Sequence, residues 1–302
     1  MTDKTAHTTM TPEALLPRLG LAPDAEAAVG RKLERSRREL EAIAETAYAG
    51  EMPDFPLCRR MPLTRLAVIV CLLARKYAAY QAAGADEDII LDTFRDVSLR
   101  AELYRRRSGG IGVSKDDVVW FRHIMNGDVF KLGALQYQKF SMIYLDEETI
   151  GEPYMTFSEA QKLALPGGAP VLNCHIPAGA DLSAAAVGAS LRRARAFFAE
   201  NFPAVRYRAF LCYSWLLYPP MLERLPESSR IRCFAAHFEI LGTCGDGTQA
   251  LENLFPDKKR PDPAHYTALQ ALAAEHPELL GYACGVIRLR KNGGAADGGD
   301  HL

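Results

Sequence analysis

Four short runs of the sequence join strand-like alternation to side chains able to move protons. In PVLNCHI, residues 170–176, Asn173 and His175 project to one face while Leu172, Cys174 and Ile176 project to the other. In RYRAFLCYSWLLY, residues 206–218, Tyr207, Tyr213 and Trp215 oppose Cys212 and Ser214. In RCFAAHFEI, residues 232–240, His237 and Glu239 share a face and turn away from Phe234, Phe238 and Ile240. FKLGALQYQKF, residues 130–140, places Gln136 and Gln138 side by side. An imidazole ordinarily titrates near pH 6.5, which suits His175 to general base work. Tyr213 is then the candidate acid that returns a proton to a leaving group, and His237 with Glu239 is a second acid–base pair. Ser214 lies outside any GxSxG turn, so it is read with Asn173 as a cofactor-binding contact and not as a nucleophile. The competing account is a half-exposed antiparallel face, where polar residues are ordinary. Unpartnered and buried, each such group costs about 1–3 kcal/mol.

A second candidate is the run Arg107-Ser108-Gly109-Gly110-Ile111-Gly112. A glycine-rich turn ahead of a helix presents backbone N–H groups to phosphate, so Arg107, Gly110 and Gly112 are cofactor-binding candidates. The alternative is a glycine cap and linker between two helices.

Other chemistries lack residues. The sequence has no HExxH, no P-loop and no EF-hand loop, and His265 and His276 stand far from paired cysteines. No metal is therefore expected. Seven cysteines contain no CxxC pair and form an odd count, which fits no closed disulfide framework. Most sit in apolar runs such as LAVIVCLLA, as small hydrophobes in a reducing compartment. Lysine plus arginine number 36 against 37 acidic residues, a net charge of −1 that calls for neither nucleic acid nor an anionic membrane. The start of the sequence lacks a basic segment followed by an apolar one. The longest apolar run, 66–74, is about half of what a bilayer needs. These features place the protein in the cytoplasm with a small-molecule partner.

The elements that hold these residues follow from periodicity. Residues 25–48, 63–83 and 86–106 carry helical spacing, and Ser114 with Asp117 opens another helix through a capping box. Near 126–130 the period changes from about 3.6 to 2. Beyond it the expected order is a strand over 130–140, a loop-like 141–169 with room for a hairpin partner strand, strands at 170–176 and 206–218 joined by a helix ending at Asn201, a strand over 230–241, a helix over 262–275 and a strand over 280–289. A helical first half thus precedes a mixed α/β half with a mixed sheet. The Gly-rich end, 292–302, is expected to be disordered.

The stretches GGIGVSKDDVVWFRHIMNGDVFKLGALQYQ, VLNCHIPAGADL, SLRRARAFF and CYSWLLYP together resemble a group of bacterial acyltransferase-domain proteins. These pair an N-terminal N-acyltransferase-type helical domain with a GNAT-like C-terminal domain, and the resemblance covers most of 30–290. It implies an α+β fold: helices over 1–128, a GNAT-like mixed sheet over 129–291, and a tail over 292–302. It also implies transfer of an acyl group from acyl- or acetyl-coenzyme A to the nitrogen or oxygen of a small acceptor. In GNAT folds two parallel strands splay and the donor lies between them; PVLNCHI, its helix and RYRAFLCYSW have that strand–helix–strand order. The spacing of 107–112 is the one with which acetyltransferases hold the coenzyme A pyrophosphate, whereas the helix start PAGADLSAAA departs from it. A non-catalytic GNAT-like ligand-binding module is the alternative, and a hydrolase, lacking an activated serine or cysteine, comes third.

Overall fold

The computed structural model describes residues 10–289 except 258 and 260, so the expected tail at 292–302 lies outside it. The chain divides into two compact units, Met1–Lys131 and Leu132–Leu302.

The first unit is helical: α1 (Pro12–Leu15), α2 (Pro23–Thr46), α3 (Pro62–Ala82), α4 (Glu87–Phe94), α5 (Asp96–Ser108) and α6 (Lys115–Met125). Prolines at the first helical positions start α1, α2 and α3, where the missing N–H costs nothing. The apolar run 66–74 is buried throughout, because α3 is the central helix packed by α1, α2, α4 and α6. The single helix expected over 86–106 is two. Arg95, at ψ −9°, closes α4 and precedes α5, and Asp96, only 4% exposed, takes hydrogen bonds from Arg100 Nε and Trp120 Nε1 at 2.7 Å each. The capping box on α6 forms as expected, with Ser114 and Asp117 exchanging bonds.

The sheet has the order β1-β2-β3-β4-β6-β5. Its strands are β1 (Val129–Leu132), β2 (Leu135–Ser141), β3 (Pro170–His175), β4 (Ala209–Ser214), β5 (Glu239–Cys244) and β6 (Tyr282–Arg288). The strand expected over 130–140 is a hairpin, turned at Gly133 with φ +85°. There the chain runs close over α9 (Ala184–Asn201), and a Cβ on Gly133 would stand 3.5 Å from Ser190. Residues 142–169 hold no strand but two short helices, α7 (Glu147–Ile150) and α8 (Glu159–Ala164). The strand expected over 206–218 stops at Ser214, whose Oγ accepts the Leu216 N–H and starts a 3-10 turn. The strand expected over 230–241 is α11 (Arg230–Ala235), a turn, and then β5. No Gly or Pro marks that turn, so apolar alternation ran across it unbroken. The remaining helices, α10 (Pro219–Arg224), α12 (Thr248–Leu254) and α13 (Ala268–Glu275), are short.

The two sheet faces differ. One carries Tyr137, Cys174, Phe210 and Cys212 beneath α9, with the Tyr137 hydroxyl 2.9 Å from Ser190 Oγ and its ring 5.4 Å from Phe210. The other carries Val171, Ala209, Leu211, Leu241, Cys284 and Val286, in one apolar cluster with Met142, Tyr144, Met155, Phe157 and Leu165 from the 142–165 segment. That segment is pinned by Tyr144, which donates to Leu165 O at 2.7 Å, and by Gln161, which donates to Leu241 O at 3.0 Å. Gly242 admits it, since a Cβ there would lie 2.7 Å from the Phe157 ring.

Candidate active site

Strands β3 and β4 are adjacent and parallel, as their connection through α9 predicts. Their pairing consists of Leu172↔Phe210 and Asn173↔Leu211, beside an Arg208 N–H that donates to Pro170 O at 2.9 Å. It does not extend to Cys174–His175 and Cys212–Ser214, although both strands continue. The sheet therefore splays at that end, and the edges facing each other there take no part in the β3–β4 ladder.

Register aligns a row of side chains across the splay. Gln136 faces His175 on β2 and β3. The parallel offset brings His175 level with Tyr213, which faces Cys284, which faces Gly242. One row below, Gln138 faces Asn173. His175 Nε2 lies 2.9 Å from Gln138 Oε1 and 3.3 Å from Asn173 Nδ2. One nitrogen cannot donate to the first and accept from the second in a single tautomer. The shorter contact is the better bond, which favours the tautomer with the proton on Nε2 and Gln138 Oε1 as its acceptor. Gln136 and Gln138 are 2% and 4% exposed, whereas His175 and Asn173 are half-buried.

Across the splay the Tyr213 hydroxyl donates to Ile143 O at 2.7 Å, and its ring stacks on Tyr282 at 6.1 Å and 21°. Burial, with Cys284 adding to it, pushes the Tyr213 phenol far above its ordinary range, so it is neutral. Burial pushes Tyr282 and Cys284 up to about 12 each. Gln249, on α12, accepts the Trp215 N–H at 3.1 Å and anchors the turn that follows β4.

The other candidates lie apart from this row or have structural work. His237 sits in the turn after α11, half-buried, with burial lowering its pKa. Glu239 is the exposed first residue of β5 and pairs with Arg288 at 3.1 Å. The strand face the two were expected to share does not exist, because α11 and a turn replace it. Ser214 is buried and caps the 215–217 turn. Arg107, Gly110 and Gly112 belong to the first unit. Gly109, at φ +75°, closes α5 in the left-handed conformation, and Gly112, at φ +148°, passes so near Pro62 that a Cβ would meet its carbonyl carbon at 2.4 Å. Asp117 already occupies the α6 N-terminus through its bond from Ser114 N at 2.7 Å. Gly109 and Gly112 thus have an account without phosphate, and the Gly110 N–H donates to Ser108 Oγ at 3.1 Å. The partnership of Gln138 with His175 was not expected: alternation showed which face Gln138 takes, but only register brings it to the imidazole. Among the described residues no group of three His, Cys, Asp or Glu stands close enough to hold a metal.

A helical unit followed by a mixed sheet whose central parallel pair splays is the architecture of a GNAT-like protein. The chain belongs to the N-acyltransferase family with a GNAT-like C-terminal domain: residues 10–127 match the N-acyltransferase N-terminal domain and residues 129–280 the GNAT-like C-terminal domain. The fold is shared with solved acyltransferases. One, in complex with decanoyl-coenzyme A and teicoplanin, is 18% identical over 95% of this chain and 91% of that one, with a TM-score of 0.69. Another, with decanoyl-coenzyme A, is 21% identical over 92% and 88%, at 0.68. A third, with coenzyme A and 10C-teicoplanin, is 19% identical over 95% and 91%, at 0.64. No curated protein sequence matches this chain. No helix among the described residues is long and apolar enough to cross a membrane.

Proposed function

We propose that this protein transfers an acyl group from acyl-coenzyme A to an amine or hydroxyl of a small molecule. The observation that carries the reading is the β3–β4 splay, with His175 on one lip and Tyr213 on the other. The N–H and C=O groups released from the ladder suit the amides and thioester carbonyl of the donor. Acyltransferases of the same fold crystallised with decanoyl-coenzyme A support the choice of donor. The first turn of α9 follows β3 and carries no acidic side chain; Asp181 ahead of it accepts the Ser183 N–H, at 2.9 Å, and the N–H groups beyond the cap suit the donor's phosphates.

The chemistry is a nucleophilic substitution at the thioester. The acceptor's lone pair forms a bond to the carbonyl carbon while His175 takes the acceptor's proton. The C–S bond then breaks, and the thiolate leaves as a thiol with the proton returned by His175. Tyr213, the expected acid, donates to Ile143 O in this structure, so this reading gives the return of the proton to His175 and has Tyr213 line the splay. Addition of decanoyl-coenzyme A at about 100 times its Kd should add about 2.7 kcal/mol to the stability of the full chain. Release of coenzyme A with glycinamide as acceptor should exceed the rate without protein. Neither a thermal shift nor release across a range of amines and alcohols would overturn the proposal in favour of a binding module for other ligands.

A further inference from the structure

The two buried glutamines of β2 are more than the polar side of a strand. Gln138 faces Asn173 in the register, yet its amide reaches diagonally to His175, with Oε1 2.9 Å from Nε2. At 4% exposure it has little water to satisfy it, so its partners are protein groups. From this geometry we infer that Gln138 is a positioning residue for acyl transfer: its carbonyl accepts the His175 Nε2–H and so fixes the plane and the tautomer of the imidazole. The inference rests on the reading of His175 as the base.

The consequence is chemical. With the proton held on Nε2, the ring's lone pair belongs to Nδ1. An amide orients the ring as a carboxylate would, but it does not stabilise the imidazolium as a carboxylate does. That distinction matters in a reaction where the base must give its proton back to the thiolate in the same turnover. The groups facing His175 from the neighbouring strands include Gln136 and Gln138 on β2, Asn173 on β3 itself and, by continuation of the β3–β4 register, the neutral Tyr213 on β4. Lys139 takes the opposite face, with its ammonium 5.0 Å from the centre of the Phe202 ring. Gln138 is thus placed to set the ring without adding charge.

The test is an imidazole ¹⁵N NMR titration of the full chain, with the His175 signals assigned by their loss in His175→Asn. The expected signature is a dominant Nε2–H tautomer above the ring's pKa. Gln138→Leu should spread the population over both tautomers, and Gln138→Glu should raise the titration midpoint by about one unit or more. In coenzyme A release from decanoyl-coenzyme A with glycinamide, Gln138→Leu should lower kcat by about tenfold or more, part of the 10²–10⁴ that a general base supplies. KM for decanoyl-coenzyme A should change little. Gln138→Glu should move the acid limb of kcat/KM to higher pH. Folded variants that keep the wild-type tautomer, midpoint and kcat overturn the inference while leaving His175 as base. If His175→Asn keeps full turnover and the same acid limb, the base assignment itself fails. Should Gln138→Leu not fold, Gln138→Glu decides; should no turnover be measurable, the tautomer and midpoint decide.

Discussion

At His175, neighbouring side chains decide what the imidazole can do. Three amides, of Gln136, Gln138 and Asn173, and a phenol that donates elsewhere lie beside it in the sheet, and none of them competes for its proton as a charged base. Replacement with asparagine keeps a polar group opposite Gln136 and removes the titratable one. His175→Asn should lower turnover by about 10²–10⁴-fold and change stability by no more than about 1 kcal/mol. A variant that unfolds instead would mark His175 as a structural residue. Tyr213→Phe gives the contrasting outcome: it loses one hydrogen bond to Ile143 O, worth about 0.5–1.5 kcal/mol, and keeps kcat within a few-fold. A fall in kcat as deep as that of His175→Asn would return the acid role to Tyr213. His175, Asn173 and Tyr213 were legible as candidates because strand alternation assigns faces without knowledge of the fold. Gln138 as a partner was not, because which strands pair, and in what register, is decided by the turn at Gly133 and the packing of β2 on β3.

Between elements, one buried hydroxyl joins α9 to the β1–β2 hairpin. Ser190 is 1% exposed; its Oγ donates to Leu132 O at 2.6 Å, accepts the Leu135 N–H at 3.2 Å, and lies 2.9 Å from the Tyr137 hydroxyl. One donor and two acceptors exhaust a serine hydroxyl. Ser190→Ala strips partners from these three groups, each costing about 1–3 kcal/mol when left bare. Urea unfolding should therefore show a loss of at least about 2 kcal/mol with an unchanged m-value. A loss below about 0.5 kcal/mol, typical of a surface change, would mean that the hairpin and α9 are held by apolar contacts alone. The strand–helix–strand unit that Ser190 secures was readable from its period, since PVLNCHI and its successor switch cleanly to helical spacing and back. The hairpin and α11 were not. A single glycine turned β1 into β2, and an apolar helix beside an apolar strand gave one continuous run with no residue that forbids either state.

At the scale of the whole chain, the cysteines are natural probes of how the two units unfold. Cys58 and Cys71 are buried in the first unit; Cys174, Cys212 and Cys284 are buried in the second, where Cys233 and Cys244 are half-exposed. Burial raises Cys71 to about 11 and Cys284 to about 12, and the hydrogen bond with the Cys174 thiol, with burial adding to it, pushes Cys212 up as well. A thiol reagent attacks the thiolate, so near neutral pH these buried groups react only when the structure around them opens. Each unit has its own apolar core, and a core opens as a cooperative whole. Brief labelling along a urea series, read by peptide mass spectrometry, should find Cys233 and Cys244 modified in the native protein. Cys58 and Cys71 should then share one midpoint, and Cys174, Cys212 and Cys284 should share another, whether or not the two midpoints coincide. A midpoint for Cys174 separate from those of Cys212 and Cys284 would mean that β3 leaves the sheet on its own. The splay would then be a mobile opening instead of a fixed cleft, and the donor would bind by ordering it.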